Sequence, residues 1–371
     1  MAAGNPDDPL AEYFRVGHSV GHDIQVFNGA RSLIFPSTPQ SIPYLFVGQD
    51  HPPLVLLQRY FPGQSEQLVA TTLSGQTVVR YQLPSVRSAF APRDPVSVNV
   101  GDRIQLYGFD LPREVTAGTT IEVNWYWRIL ANDPRELVFF NQLLDSRRQR
   151  RAQIDDRAFA PNYWTPGTSG ISTYKLELPA DLETGAYRLA VGIYYRDNFQ
   201  RLPIWDANQK LAGTDLDLGP IKVHGRPRPI PSIEHSLRRH LGEGIDLVGY
   251  ATQPSTLNPG STLDVTLDWA PHQRPRSDYT VFIHLLDSQG KPLVIGDAPP
   301  VNGTYPTTVW DAGEVIADVH HLTIGANVPP GTYSLEVGLY DSQTLKRVPV
   351  FDERGKIVDD RVLIPGIVVV R

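Results

Sequence analysis

Val328-Pro329-Pro330-Gly331-Thr332-Tyr333-Ser334-Leu335-Glu336-Val337-Gly338-Leu339-Tyr340 is the stretch that decides the fold. Gly331 marks a turn, after which Tyr333, Leu335, Val337 and Leu339 fall on alternate positions. A period of two gives a strand with one buried face. The chain writes the pattern twice. The other copy is Leu182-Glu183-Thr184-Gly185-Ala186-Tyr187-Arg188-Leu189-Ala190-Val191-Gly192-Ile193-Tyr194.

The rest of the chain from about residue 95 is also duplicated. Gly101-Asp102-Arg103-Ile104-Gln105-Leu106 matches Gly242-Glu243-Gly244-Ile245-Asp246-Leu247. Phe140-Asn141-Gln142-Leu143-Leu144-Asp145-Ser146 matches Phe282-Ile283-His284-Leu285-Leu286-Asp287-Ser288. Arg201-Leu202-Pro203-Ile204-Trp205-Asp206 matches Arg347-Val348-Pro349-Val350-Phe351-Asp352. The offset drifts from 141 to 146 residues, and the changes fall between strand candidates. Loop insertions separating two copies of one domain give that pattern. Each copy holds many short strands parted by turn signals, which predicts an antiparallel β-sandwich. Gly-x-Tyr leading into a strand also resembles the tyrosine corner of immunoglobulin-like sandwiches, where the hydroxyl bonds an upstream backbone group.

The expected class is therefore mainly β: two tandem immunoglobulin-like or jelly-roll-type β-sandwich domains preceded by a small α+β region. The expected boundaries are 1–94 for that region, 95–224 for the first repeat, 225–240 for a Pro-rich linker and 241–371 for the second repeat. Within 1–94, Tyr44–Val47 reads as a strand, Leu54–Phe61 as a helix, and Gln67–Ala70 with Thr77–Leu83 as a hairpin. Alternation sorts the faces of the repeats. Trp125, Trp127, Leu267 and Trp269 are expected inside, and Tyr126 outside.

Composition narrows the function. A net charge of -6 and a pI near 5.9 argue against a nucleic-acid partner. The absence of Cys removes disulfides, thiol catalysis and thiolate metal sites. No apolar run is long enough to span a bilayer. Met1–Asp8 lacks the basic start and apolar core of a signal peptide. The expectation is a cytoplasmic protein or a soluble piece of a larger one.

Tyr279–Asp287, Thr304–Glu314 and the Pro-Pro-Gly-Thr-Tyr…Val-Gly-Leu-Tyr-Asp stretch at 329–341 resemble segments of bacterial membrane glycosyltransferases similar to dolichyl-phosphate-mannose protein mannosyltransferases. The resemblance implies a soluble extracytoplasmic C-terminal region. Its partners would be the membrane-embedded part of the same parent protein and a glycan or glycosylated acceptor. That family's catalytic carboxylates lie between membrane helices, so no catalytic residue carries over. Copy one departs from the pattern, with Gln142 where copy two has His284.

The residues agree in offering no catalytic signature. There is no G-x-S-x-G, and Gly290-Lys291 and Gly355-Lys356 lack the Ser or Thr of a phosphate loop, so both read as hairpin turns. No metal ligand is expected. Gly17 and Gly21 oppose a helix bearing His18 and His22, and adjacent His320 and His321 face opposite sides of a strand. No cofactor is expected unless a structural Ca²⁺ sits at Asp155-Asp156, Asp215…Asp217 or Asp359-Asp360.

Two binding candidates remain. Arg147, Arg148, Arg150 and Arg151 form the dense basic run, either a solvated hairpin turn or an anion contact. Tyr163-Trp164 and Tyr305…Trp310 occupy equivalent connections, as sugar-stacking platforms or as lids folded onto the core. If a glycan site exists, it is expected in copy two, around Tyr305, Trp310, His284 and Asp297. The functional expectation is a non-catalytic extracytoplasmic β-sandwich tail of a membrane glycosyltransferase contacting glycan or acceptor. A structural or protein-interaction module is the alternative, and a glycoside-active enzyme the weaker one.

Overall fold

The computed structural model describes residues 32–35, 42–48, 59–61, 67–71, 77–83, 91–156, 165–242 and 244–370. The protein is mainly β, and its described strands form five sheets. The described residues divide into two compact units. One lies within Met1–Ala180 and Arg188–Gly219, the other within Asp181–Tyr187 and Pro220–Arg371.

The duplication is written into the topology. In copy one a seven-stranded sheet runs Ser32–Phe35, Ser169–Glu177, Thr120–Ile129, Ile104–Asp110, Asp94–Val100, Ile204–Trp205, Leu211–Gly213. In copy two a six-stranded sheet runs Ile316–Thr323, Thr262–Pro271, Ile245–Gln253, His235–Leu241, Val350–Phe351, Ile357–Asp359. The orders match strand for strand once Ser32–Phe35 is set aside. The companion sheets match as well. Copy one runs Arg150–Asp156, Leu137–Leu144, Gly185–Tyr195, Leu216–His224, Glu114–Thr116. Copy two runs Pro292–Ile295, Tyr279–Leu286, Gly331–Asp341, Val362–Val369, Thr256–Leu257.

Both tyrosine corners form. The Tyr187 hydroxyl donates to the Glu183 carbonyl at 3.1 Å, and the Tyr333 hydroxyl to the Pro329 carbonyl at 2.6 Å. The glycine of the Val-Gly-Ile/Leu-Tyr stretch also has a packing reason in each copy. Gly192 lies opposite Phe140 and Gly338 opposite Phe282. A Cβ there would come within 2.6 and 2.5 Å of the ring. The missing side chain therefore seats an aromatic ring on the outer face of the sheet.

The inner faces make the cores. Trp125, Trp127, Leu267 and Trp269 are all fully buried, as alternation requires. Trp125 packs edge-on against Phe139 of the facing sheet, with ring centroids 4.9 Å apart. In copy two Leu263, Val265, Leu267 and Trp269 meet Val281, Ile283, Leu285, Leu335, Val337 and Leu339 in one cluster.

Several expectations are corrected. Tyr126 is not outside. The residue is 1 % exposed: the Tyr107 ring meets it edge-on at 6.0 Å, the Tyr60 hydroxyl lies 3.1 Å from its own, and it donates to Asp110 at 2.7 Å. Alternation assigned the residue to the outer face but did not show that the outer face was covered. Ser32–Phe35 forms a further strand. It pairs antiparallel with Ser169–Glu177, a partner some 140 residues away that no local pattern reveals. The strand His235–Leu241 begins inside the stretch read as linker. Its residues are mostly polar and only Leu241 is fully buried, so it carries no alternating signal.

The expected 67–83 hairpin forms as Gln67–Thr71 and Thr77–Leu83, extended by Ile42–Gly48. Most of the helix expected over Leu54–Phe61 lies outside the described residues, of which Arg59 and Tyr60 are helical.

Candidate functional site

Of the four residues grouped as a copy-two glycan site, the structure brings His284 to Asp297 and separates both from the two aromatics. Tyr305 and Trp310 are shut in the second core at 1 % and 0 % exposure, so neither offers a ring face to a sugar. The lid reading replaces the platform reading. The Trp310 indole N–H donates to the Tyr305 carbonyl at 3.0 Å. The Tyr305 hydroxyl donates to Glu314 at 2.7 Å and accepts from Lys222 at 2.6 Å. Lys222 is itself fully buried, its charge met by Glu314 at 2.7 Å and Asp311 at 2.9 Å. Burial, then the bond to Glu314, raises the Tyr305 hydroxyl above its ordinary value. A polar anchor behind each ring allows that burial. No motif announced Lys222. Tyr163 and Trp164 lie outside the described residues.

His284 and Asp297 belong to a closed ionic network on the outer face of the five-stranded sheet. His284 Nδ1 lies 2.7 Å from Glu336 and Nε2 2.9 Å from Asp297, so each ring nitrogen faces an acid. Glu336 is 3 % exposed and also accepts from Arg347 at 3.0 Å and Arg361 at 2.6 Å. Burial pushes its carboxyl up, but bonds from Arg361, Arg347 and His284 outweigh it and hold it at about 2. Arg347 covers the Phe282 ring at 4.1 Å. Each strong donor and acceptor here already has an internal partner.

The same face of copy one is covered differently. Gln142 replaces His284 and Ala190 replaces Glu336, so the ionic plug is absent. In its place Phe140, Tyr194 and Phe199 form a ladder of nearly parallel rings. Successive centroids are 6.3 and 5.8 Å apart, at interplanar angles of 29° and 27°. Phe199 is outermost and 73 % exposed. It sits in the left-handed region at φ 58, where a bulky residue is unfavourable. Polar groups ring the ladder. Tyr194 donates to exposed Asp155 at 3.0 Å, and Arg201 lies over Phe140 at 4.3 Å while donating to Gln142 at 3.2 Å. Burial and then Asp155 push the Tyr194 hydroxyl up to about 12, so it stays protonated at neutral pH. Phe199 was missed because a lone Phe in the polar turn Asp197-Asn198-Phe199-Gln200 carries no periodic signal.

The basic run closes the hairpin between Leu137–Leu144 and Arg150–Asp156, as the turn reading expected. Asp145 Oδ1 accepts from the backbone N–H of Arg147 and Gln149, and Asp287 does the same for Gln289 and Lys291 in copy two. Arg148 pairs with Asp217 at 2.5 Å and Asp215 at 3.3 Å, and Arg151 with Asp145 at 3.7 Å. Those acids blunt the run as an anion site, while Arg147 and Arg150 stay exposed. The acidic pairs offered for calcium have other partners. Asp215 and Asp217 face arginines, Asp155 faces Tyr194, and Asp359 and Asp360 face Arg361 and Arg347. Gly290 and Gly355 are hairpin turns with positive φ, not phosphate loops.

His320 and His321 point apart, His320 to buried Asp318 and His321 to exposed Asp264. His18 and His22 lie outside the described residues. A cluster that the sequence did not flag lies in copy two. Asp246, 2 % exposed, accepts from His240 Nδ1 at 2.8 Å, His272 Nε2 at 2.9 Å and Arg238 Nε at 3.0 Å. Burial raises its carboxyl, and the three donors together bring it below the usual aspartate range.

Cavities of about 40 Å³ beside Gly242 and Arg276 and about 150 Å³ beside Phe109 and Arg113 are both smaller than a usual small-molecule pocket. The described residues include no helix long and apolar enough to cross a membrane. Comparison with protein-family models and with curated proteins gives no match.

Proposed function

We propose that the chain is a non-catalytic, glycan-contacting tail of a membrane glycosyltransferase, held outside the cytoplasm, and that its contact surface lies on the first sandwich. The observation that carries this reading is Phe199, an exposed ring kept in a strained turn conformation and stacked on Tyr194. Strain retained at an exposed apolar residue points to use rather than stability. A flat ring with Gln142, Asp155 and Arg201 beside it matches what a sugar needs: an apolar face for its C–H groups and a few fixed polar groups for its hydroxyls. The site is a surface and not a cleft, which fits a chain segment lying across it rather than an enclosed small molecule.

The test is titration of the full chain with a panel of neutral and acidic oligosaccharides, followed by intrinsic fluorescence and thermal shift. Phe199→Ala should weaken binding about tenfold, corresponding to ~1.4 kcal/mol, and Tyr194→Ala should weaken it further. Wild-type affinity retained in Phe199→Ala would end the proposal. A protein-contact surface is favoured instead if no oligosaccharide binds, because copy two also exposes an apolar side chain at the matching turn, Leu345 at 72 % and φ 59.

A further inference from the structure

We propose that His240, Asp246 and His272 form a binding site for a divalent transition-metal ion, with zinc as the best-fitting species. One ligand atom from each residue lies within 4.8 Å of the other two. Two imidazoles and a carboxylate are the donor set that borderline metals such as Zn²⁺ prefer, and three protein ligands leave a further position for water or an external group.

The fold explains why residues this far apart in sequence meet. His240 and Asp246 are direct partners across the pairing of His235–Leu241 with Ile245–Gln253. Asp246 also faces Ala270 on Thr262–Pro271, two residues before His272. The His272 N–H donates to the Gly244 carbonyl at 2.7 Å, which brings its ring back toward the same carboxylate. Leu241 and Ile245 point into the core, so the trio occupies the opposite face. Asp246 is enclosed, whereas the side chains of His240 and His272 are 41 % and 50 % exposed. An ion would therefore have a fixed anionic anchor and an open approach.

The other repeat is an internal control. The positions of His240, Asp246 and His272 correspond to Asn99, Gln105 and Leu130 in copy one. The same backbone there carries no imidazole and no carboxylate at these positions, so the duplicated fold does not itself require the trio. One group opposes a metal: Arg238 places a cation on Asp246 Oδ2. Its side chain is 78 % exposed and can leave. Arg238 should therefore compete with the ion, which a purely structural histidine–aspartate cluster would not predict.

The experiment uses the full chain treated with chelator, then titrated with Zn²⁺ by calorimetry and with Co²⁺ by visible absorption. One equivalent of Zn²⁺ should bind. The Co²⁺ complex should show the ligand-field bands of a low-coordinate site. His240→Ala and His272→Ala should each weaken binding about tenfold or more. Arg238→Ala should strengthen it, and His321→Ala should leave it unchanged. Because Asp246→Ala could fail to fold, Asp246→Asn is used, with folding checked by circular dichroism, and should weaken binding as the histidine variants do. No Zn²⁺ binding by the wild-type chain, or binding that survives the His240→Ala/His272→Ala double variant, overturns the proposal. Weaker binding in Arg238→Ala would also count against it.

Discussion

The two repeats share a topology and differ on one face. In copy one the outer face of the five-stranded sheet is an aromatic ladder ending in solvent at Phe199. In copy two the same face is sealed by Glu336, His284, Arg347 and Arg361. Both keep the Phe–Gly pair across the strands and the arginine over the ring, at 4.3 Å in one and 4.1 Å in the other. The difference comes down to few positions. Ala190 in place of Glu336 removes the acid that gathers the network, and Phe199 in place of Leu345 adds a third ring. A duplicated fold keeps what its backbone needs and varies what its surface offers.

The largest effect should come from the lid over the second core. Trp310→Ala leaves a large void beside Tyr305 and should cost ~3–5 kcal/mol. Chemical denaturation would show it, with oligosaccharide affinity unchanged. A loss of glycan affinity without loss of stability would return Trp310 to the binding role and undo the contrast between the repeats.

Acid should separate the copies next. Glu336 sits near 2 in the folded chain against an ordinary value of 4.5, so the folded state holds this proton less tightly than the unfolded one. Its stabilisation is present above pH 4.5 and is lost as pH falls toward 2. The lost stabilisation is roughly 3 kcal/mol. Asp268 works in the opposite sense, since burial raises its carboxyl and its contribution is lost as pH rises. Comparing Glu336→Gln with wild type isolates the first effect. An unchanged acid profile in that variant would show that the network is not a stabilising plug.

A third difference lies inside the sandwiches. The Trp125 indole donates to Asn141 at 2.8 Å in the core of copy one, where copy two has Leu267 and Ile283. Either single replacement, Trp125→Leu or Asn141→Ile, strands a buried polar group. The double replacement removes both, so a double-mutant cycle should show coupling of ~1–3 kcal/mol. Additive effects would mean that the pair is not an energetic unit.

The smallest effect concerns the turns. Phe199→Gly and Leu345→Gly relieve a left-handed φ and should leave stability unchanged or raise it by up to ~1 kcal/mol. In copy one the gain should come with lost oligosaccharide binding, and in copy two with none. A stability loss at Phe199 would show that the ring belongs to the packing rather than to a contact surface.

The duplication, the sandwich class, the tyrosine corners and the inner faces were all legible in the amino-acid order. Each of these rests on a short-range pattern: a period of two, a turn glycine, an aromatic at a fixed offset. The Trp125, Trp127 and Trp269 faces follow from alternation alone. Tertiary structure decided what lies on top of each face, because cover comes from segments distant in sequence. Tyr60 meets the Tyr126 hydroxyl, Lys222 anchors Tyr305, and Ser32–Phe35 pairs with Ser169–Glu177. The candidate sites were illegible for the same reason. His240, Asp246 and His272 meet only through strand register, and Phe199 gains meaning only when Tyr194 stacks beneath it. Strand periodicity is a local property of the chain, whereas the neighbours of an outward-facing side chain are set by long-range pairing.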